Sequence, residues 1–167
     1  MDLIYIGKLV NTHGLKGEVK IISDFKYKGQ VFKENNSIYI NNTIYKIKSY
    51  RHHKIFDMLV LDGVDFDAAI NLKGSEVYIE RSDYNFNGYI TADLIGLSVY
   101  DGNIYKGKVV DILKTINYEL LVIDGIKKHF IPNISEFVKE VDLKNKIIKV
   151  DYIKGLDYED WYFDFVS

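Results

Sequence analysis

LIYIGKLV (residues 3–10), NTHGLKG (11–17) and EVKII (18–22) follow one another near the start of the sequence. The first segment is rich in β-branched and aromatic residues, and the third alternates as a half-buried strand does. The middle segment holds Gly14 and Gly17, and glycine readily adopts the positive φ angles that tight turns need. These residues therefore predict two strands joined by a sharp loop, the beginning of an antiparallel β-structure.

The sequence after this hairpin continues in the same style. Asn41-Asn42 lies between two alternating segments and predicts a hairpin turn, because Asn tolerates positive φ. The clearest helix of this half is predicted over 65–73, with Asp residues at its start, two alanines inside and Gly74 as its stop. The further strands predicted in this half are 37–41, 43–48, 49–54, 58–62 and 76–80.

The composition changes at residues 82–88, SDYNFNG, where Ser, Asn, Asp and Gly cluster and predict a linker. The second half repeats the β style, with hairpin turns predicted at Asp101-Gly102 and Asp124-Gly125. A short helical turn is predicted over 134–141. Many short strands with one weak helix per half predict an all-β protein of two small barrels. The strands of the second half are predicted at 98–100, 105–113, 119–123, 128–131 and 146–151.

The composition excludes several classes of protein. Cysteine is absent, which excludes disulfide frameworks, thiolate zinc sites and cysteine nucleophiles. Apolar residues make up 47% and charged residues 28%, as in folded globular chains. No apolar run approaches the ~20 residues of a membrane span, and no basic segment followed by an apolar one precedes the first strand. We therefore expect a cytoplasmic protein without a membrane anchor.

The net charge of −2 hides an asymmetry along the sequence. Residues 1–54 hold ten Lys or Arg against four Asp or Glu, a balance of +6. Residues 82–167 hold ten Lys against fourteen Asp or Glu, a balance of −4. Such polarity suggests a basic end that binds phosphate and an acidic end that binds a basic partner, although chance partition of a lysine-rich composition would look the same.

The loop around Gly14 is the most unusual local feature. Its glycines would let the backbone approach a ligand closely, with His13 and Lys16 reaching outward to phosphate. Gly14-Leu-Lys-Gly17 matches the GXXG of KH domains, but a KH loop joins helices and strands flank this one. A plain hairpin loop, whose glycines serve only its geometry, remains the alternative.

A second basic cluster, Arg51-His-His-Lys54, combines cations with imidazole rings. Neighbouring residues on a strand point to opposite faces, so His52 and His53 cannot chelate one metal ion together on a regular strand. The cluster predicts either an edge that contacts phosphate or a solvated strand end.

Catalytic signatures are missing from the sequence. GxSxG, HExxH and GxGxxG do not occur, and no spaced pair of carboxylates suggests acid–base chemistry. Four histidines without cysteine make a weak case for zinc. We therefore expect a binding protein with no catalytic residues, no metal and no cofactor.

Several segments together resemble the RimM family of ribosome maturation factors. The first half is similar to that family at IGK (6–8), HGLKGEV (13–19), RHHK (51–54), MLVL (58–61) and AINLKG (69–74). The second half resembles a PRC barrel at DLIGL (93–97), GKV (107–109), LLVI (120–123), FIP (130–132), VD (141–142) and GL (155–156). The resemblance runs in the same order through residues 3–156.

The resemblance implies a translation-factor-like, six-stranded barrel over residues 1–81, a linker over 82–88 and a PRC barrel over 89–156, with an acidic and aromatic tail over 157–167. It implies a non-enzymatic factor for late maturation of the 30S head, needed for efficient 16S rRNA processing. The partners would be free 30S subunits, 16S rRNA and a basic ribosomal protein of the head, with the chain a monomer.

Site residues follow from the resemblance and from the charge pattern. In the family, a pair of tyrosines before the DL-G motif matters for ribosome binding; Tyr89 matches the first, whereas Ile90 stands at the second. We predict the protein-binding site at Tyr89 and Ile90 with the nearby Tyr84 and Phe86. The predicted RNA-binding residues are His13, Lys16, Lys20, Arg51, His52 and Lys54.

Two other functions remain open. A general RNA-binding β-barrel module would explain the basic half but would leave the acidic half without a purpose. An rRNA-processing nuclease would need clustered carboxylates for metal ions, or a histidine pair, and neither is visible in the sequence.

The tail at 157–167 has two interpretations as well, because acidic and aromatic residues can dock on a basic partner or cover the end of a barrel.

Overall fold

The computed structural model describes residues 1–151, which divide into two compact units between Asn87 and Gly88. Strands predominate in both units, so the predicted all-β fold with two barrel-like domains is confirmed. The predicted tail at 157–167 and the GL pair at 155–156 lie outside the described residues. The elements of the first unit are β1 (Leu3–His13), β2 (Glu18–Ile22), α1 (Lys28–Val31), β3 (Ser37–Ile40), β4 (Thr43–His53), β5 (Phe56–Leu61), α2 (Phe66–Asn71) and β6 (Glu76–Glu80).

The first unit is a closed antiparallel barrel with the strand order β1-β2-β5-β4-β3-β6. The barrel closes because β1 is long enough to pair with β6 along its first half and with β2 along its second. Register shifts between Tyr5 and Gly7 and between Leu9 and Asn11 bend β1 from one partner to the other. Alternate side chains point inward and form a fully buried core that includes Leu9, Ile21, Ile38, Leu59 and Ile79.

Local signals placed several elements of this barrel correctly. Asn41 and Asn42 both adopt positive φ between β3 and β4, as the hairpin prediction requires. Helix α2 begins after Asp65, whose carboxylate accepts a hydrogen bond from the backbone N–H of Ala68 at 2.8 Å. The helix is shorter than predicted, because it ends at Asn71 and the chain turns at Gly74.

Three parts of the barrel differ from the sequence-based description. The segments 43–48 and 49–54 are one continuous strand, β4, with a bulge between Ile47 and Ser49. Strand β1 runs to His13, so the glycine loop is only residues 14–17. Helix α1 was not predicted, because four residues are too few to show a helical period.

The second unit holds a six-stranded sheet, within the residues described, in the order β10-β9-β8-β7-β12-β11. Strand β12 runs parallel to β7, and the other neighbours are antiparallel. A core that includes Leu94, Val99, Leu121 and Ile148 fills one side. The strands are β7 (Ser98–Asp101), β8 (Ile104–Lys114), β9 (Glu119–Asp124), β10 (Lys128–Pro132), β11 (Val138–Asp142) and β12 (Ile147–Val150).

The prediction of a short helical turn over 134–141 was wrong for most of its length. Residues 135–137 form a turn, but Val138–Asp142 is strand β11, which pairs with β12. Val138 and Val141 pack against the core of this unit, and that tertiary contact outweighs the weak local signal.

The segment predicted as a linker, 82–88, belongs largely to the first unit. A 3₁₀ turn at Arg81–Asp83 leads into Tyr84 and Phe86, and Phe86 is buried. Its ring stacks on Tyr27 with the ring centroids 4.7 Å apart and on Tyr84 at 5.5 Å. Polar composition suggested a free linker, but its two aromatic rings bind it to the barrel. The boundary between the units therefore falls at the end of the predicted segment.

Candidate functional site

The glycine loop, residues 14–17, joins β1 to β2, with Leu15 and Lys16 exposed on it. Both glycines adopt positive φ, +65° at Gly14 and +77° at Gly17. A Cβ on Gly17 would lie 2.5 Å from the carbonyl oxygen of Val64, whereas Gly14 faces open space. The close approach that Gly17 allows is therefore to the chain segment before α2, which is a structural role. Lys16 and the exposed His13 remain available to a ligand.

The outer face of β2, β5 and β4 brings Lys20 and Arg51 together. Lys20 pairs with Met58 and Met58 with Arg51 in one row across the three strands. The Nε of Arg51 donates to Glu18 Oε2 at 2.9 Å, and this hydrogen bond holds the pKa of Glu18 below its ordinary value. The ammonium of Lys20 lies 5.2 Å from the ring centroid of Phe56. The row therefore holds two cations, of which Arg51 already has a carboxylate partner.

His52 points to the other side of β4, toward Asp57. The carboxylate of Asp57 is fully buried and receives a hydrogen bond from Lys28 at 2.9 Å and another from the Tyr50 hydroxyl at 2.9 Å. The Nδ1 of His52 lies 3.5 Å from Asp57 Oδ1. Desolvation, and then the bond to Asp57, raise the pKa of Tyr50 to about 12. These contacts tie His52 to a polar network of the barrel.

The hairpin of β4 and β5 ends in a two-residue turn, Lys54 and Ile55, both exposed. Lys54 adopts a φ of +56°, a region that a lysine rarely occupies. Two further lysines of β4, Lys46 and Lys48, are also exposed and extend the basic surface along the strand. The sequence description missed both as candidate contacts, although their place in an alternating segment was a usable signal.

The structure places the four predicted protein-binding residues in different settings. Phe86 is 5% exposed and Ile90 4% exposed, so neither offers its side chain to a partner in this conformation. Desolvation, and then the nearby Asp83, raise the pKa of the half-buried Tyr84 to about 12. Tyr89 is partly buried and packs against the core of the second unit. Tyr84 and Phe86 thus lie in the first unit, whereas Tyr89 and Ile90 lie in the second.

Charge is distributed differently over the folded units than along the sequence. Residues 1–87 hold twelve Lys or Arg against eleven Asp or Glu, and residues 88–151 hold nine against nine. Residues 152–167 hold one lysine against four carboxylates. The basic balance of residues 1–54 is therefore offset within the first unit by residues 55–87, and most of the acidic excess belongs to residues 152–167.

Residues 1–151 show neither a metal cluster nor a membrane-crossing helix. No group of three or more His, Asp or Glu side chains in this part of the chain is arranged to hold a metal ion. None of the helices within it has the length and apolar composition that a membrane crossing requires.

Comparison with known proteins identifies both units. Residues 4–84 match the model of the RimM N-terminal domain, and residues 91–156 match that of the RimM PRC barrel domain. A ribosome maturation factor RimM from Staphylococcus epidermidis is 34% identical over 163 residues, covering 92% of this chain and 98% of the relative. One from Staphylococcus aureus is 35% identical with the same coverage.

A solved structure also matches. The solution structure of the N-terminal domain of RimM from Thermus thermophilus covers 52% of this chain and 98% of its own, at 24% identity and a TM-score of 0.44. The two domain matches and the identity to full-length relatives together carry the assignment: this chain belongs to the RimM family.

Proposed function

We propose that this chain acts by binding in the late maturation of the 30S head and supports 16S rRNA processing in the cytoplasm without catalysing it. The observation that carries the proposal is the match of both domains, over 92% of the chain, to relatives named ribosome maturation factors. Binding the native head arrangement in preference to others would favour it by mass action, without covalent chemistry.

The basic surface of the first unit is the part proposed to contact 16S rRNA. Lys20 and Arg51 lie on the outer sheet face, Lys16 and Lys54 stand on the two hairpin loops, and His13 flanks the first loop. Lysine and arginine that neutralise phosphates release counterions, which supplies most of the affinity of sequence-independent binding. His52 is the weakest member of the predicted set, because Asp57 already engages its ring.

The second unit is proposed to hold a basic ribosomal protein of the head. Tyr89 keeps some exposure and is the anchor we favour, because tyrosine buries a large ring and retains a polar tip. The carboxylates of residues 152–167 supply the attraction for a basic partner. Replacing Tyr89 by Ala should weaken partner binding by about 2 kcal/mol if it is a hot spot. Unchanged affinity with a lowered Tm would assign Tyr89 to packing instead.

Asp57 supports a binding role over a nuclease role. It is the one fully buried carboxylate among residues 1–151, and Lys28 and Tyr50 already occupy its oxygens. Incubation of the purified protein with precursor 16S rRNA and magnesium tests the alternative directly. We expect no cleavage; a shortened product that forms only in the presence of magnesium would establish a nuclease.

Co-sedimentation tests the proposed function. The chain should sediment with free 30S subunits and remain unbound in the presence of 70S ribosomes. An unfolded fragment of 16S rRNA at the same nucleotide concentration is the control. Equal binding to the subunit and to the fragment would favour the general RNA-binding module, and binding to neither would contradict the proposal.

Charge reversal tests the RNA contact within it. Lys16→Glu with Lys54→Glu changes two exposed loop cations and should weaken 30S binding and reduce its dependence on salt. Lys144→Glu, also exposed but in the second unit, is the matched control. Arg51 is less suitable for reversal, because the new carboxylate would face Glu18. A salt dependence that is the same in the double variant and the wild type would refute the contact.

A further inference from the structure

Three tyrosines form a row across the outer face of the first barrel. Tyr5 of β1 pairs with Tyr78 of β6, and Tyr78 pairs with Tyr39 of β3. Tyr39 in turn pairs with Ile44 of β4, so the row spans four adjacent strands. We call Tyr5, Tyr78 and Tyr39 the tyrosine row.

The tyrosine row is accessible. Tyr5 is 45% exposed and Ile44 is 57% exposed, whereas Tyr39 and Tyr78 are half-buried. The rings of Tyr5 and Tyr78 pack edge to face with their centroids 5.8 Å apart, and the Tyr78 hydroxyl donates to the Glu76 carboxylate. The barrel core lies on the opposite side of these strands, so the row contributes little to it. A contiguous apolar and aromatic patch on a folded surface commonly marks a binding site.

Charge around the tyrosine row is asymmetric. Lys46 is exposed on β4, two residues beyond Ile44 and on the same outer face, and the exposed Lys48 follows it. Glu76 and Glu80 lie two residues before and after Tyr78 on β6, so they flank the middle of the row on the same face. The phosphates of a bound strand would therefore lie along β4, on the side of Tyr39 and Ile44, and only its bases would reach across the row. The row thus continues directly into the basic strand that the proposed function uses.

A polar cleft of about 510 Å³ opens beside Tyr78. Besides Tyr78 and Gly74, it is lined by polar or charged residues: Asn41, Asn42, Lys73, Ser75 and Glu76. The side-chain amide of Asn41 donates to the Ser75 hydroxyl at 3.0 Å. Amides can donate to and accept from the edge of a nucleobase, so the cleft supplies polar partners beside the middle of the aromatic row.

We infer that the tyrosine row binds unpaired bases of RNA by stacking, while Lys46 and Lys48 contact the phosphates of the same strand. Proteins that bind single-stranded RNA combine a basic track for the backbone with aromatic side chains on which bases stack. The inference rests on the proposed function, which it deepens by naming unpaired RNA as the substrate class of this face. Paired RNA is excluded from it, because bases within a helix already stack on each other.

Fluorescence anisotropy with labelled RNA tests the inference on the full chain. The probes are an unstructured 12-nucleotide RNA and the blunt-ended duplex that it forms with its complementary strand. Tyr39→Leu, next to β4, should weaken binding of the single strand about tenfold, because stacking of one base is lost. Tyr5→Leu changes the member of the row farthest from β4 and should weaken it less. Binding of the duplex should not change. Tyr5→Phe and Tyr39→Phe keep the ring and should bind as the wild type does.

Two controls separate stacking from charge and from damage to the fold. Tyr105→Leu changes an equally exposed tyrosine of the second unit and should have no effect. Lys46→Ala with Lys48→Ala should lower the salt dependence of binding, which the tyrosine variants should leave unchanged. A melting curve of each variant confirms that the barrel is folded, and the Phe variants keep the test valid if a Leu variant unfolds.

The outcomes distinguish this inference from the function on which it rests. Full single-strand binding by folded Leu variants would overturn the stacking site. Co-sedimentation with 30S subunits without any binding to the single strand would overturn it too, and would leave the proposed function standing. Failure of the chain to bind both 30S subunits and single-stranded RNA would contradict the two together.

Discussion

Replacement of Lys28 by methionine should destabilise the first barrel by about 2 kcal/mol. Lys28 supplies the ammonium that contacts the buried Asp57 carboxylate, at 2.9 Å. Removing one member of a buried ion pair costs about 3–5 kcal/mol, because the other charge is left without compensation. Two features of this ion pair reduce the expected loss of stability. The Lys28 side chain is 32% exposed, and Tyr50 continues to donate a hydrogen bond to Asp57 in the variant.

Hydrogen exchange of the β4 and β5 amides is the suitable assay. These amides report on the first barrel alone, whereas denaturation of the whole chain combines the unfolding of two units. The exposed Lys33, five residues further along, provides the control variant Lys33→Met. The double variant Lys28→Met with Asp57→Asn removes both charges and should recover part of the loss, since no buried carboxylate is then left unpaired.

Equal losses of stability in Lys28→Met and Lys33→Met, within about 0.5 kcal/mol, would contradict this prediction. Asp57 would then be stable without the ammonium, and the network would depend on Tyr50 and His52 instead. A double variant that loses as much stability as the sum of the single variants would contradict it too, because two coupled charges should not act independently.

Three further outcomes can be checked on the same protein. The wild type should be more stable than an Arg51→Met variant near neutral pH, because Arg51 holds the pKa of Glu18 below its ordinary value of 4.5. The difference in stability should shrink as the pH falls through the pKa of Glu18, and parallel curves of stability against pH would contradict this. Burial raises the pKa of Tyr50 and of Tyr84 to about 12. Between about pH 10 and 12 these two tyrosines ionise only in the unfolded chain, so the free energy of unfolding should fall as the pH rises through this range. A Tyr50→Phe with Tyr84→Phe variant should show a smaller fall. Limited proteolysis should cut next to Gly88 and leave 81–87 attached to the first fragment, whereas early cuts within 82–86 would show that the aromatic packing there is weak.

Only part of the candidate site could be recognised from local pattern. The period of two along a strand correctly separated His52 from His53, because that geometry depends on neighbours in sequence. The same pattern could not show that Arg51 meets Glu18. That contact depends on the order β2-β5-β4, which joins segments more than thirty residues apart.

The distribution of charge over the two units could not be predicted from local sequence either. A basic start and an acidic end of the sequence suggested two oppositely charged domains. Folding combines residues 1–54 with the acidic segment 57–83 in one barrel, so the two units are nearly neutral through residue 151. Charge adds up over a surface, and the surface is built from segments that are distant in sequence.

Residue types and their spacing within a few positions were enough to predict the all-β class, the hairpin turns, the family and the absence of cysteine chemistry. The tertiary structure alone decided which side chains share a face. Tyr5, Tyr39 and Tyr78 are separated by more than thirty residues each, and only the register of β1, β6 and β3 aligns them. It also decided that Phe86 is buried, since its ring packs against Tyr27, which comes from a distant segment, as well as against the neighbouring Tyr84. Burial and alignment are properties of tertiary packing, and a one-residue shift in register would have placed each ring of the tyrosine row on the other side of the sheet.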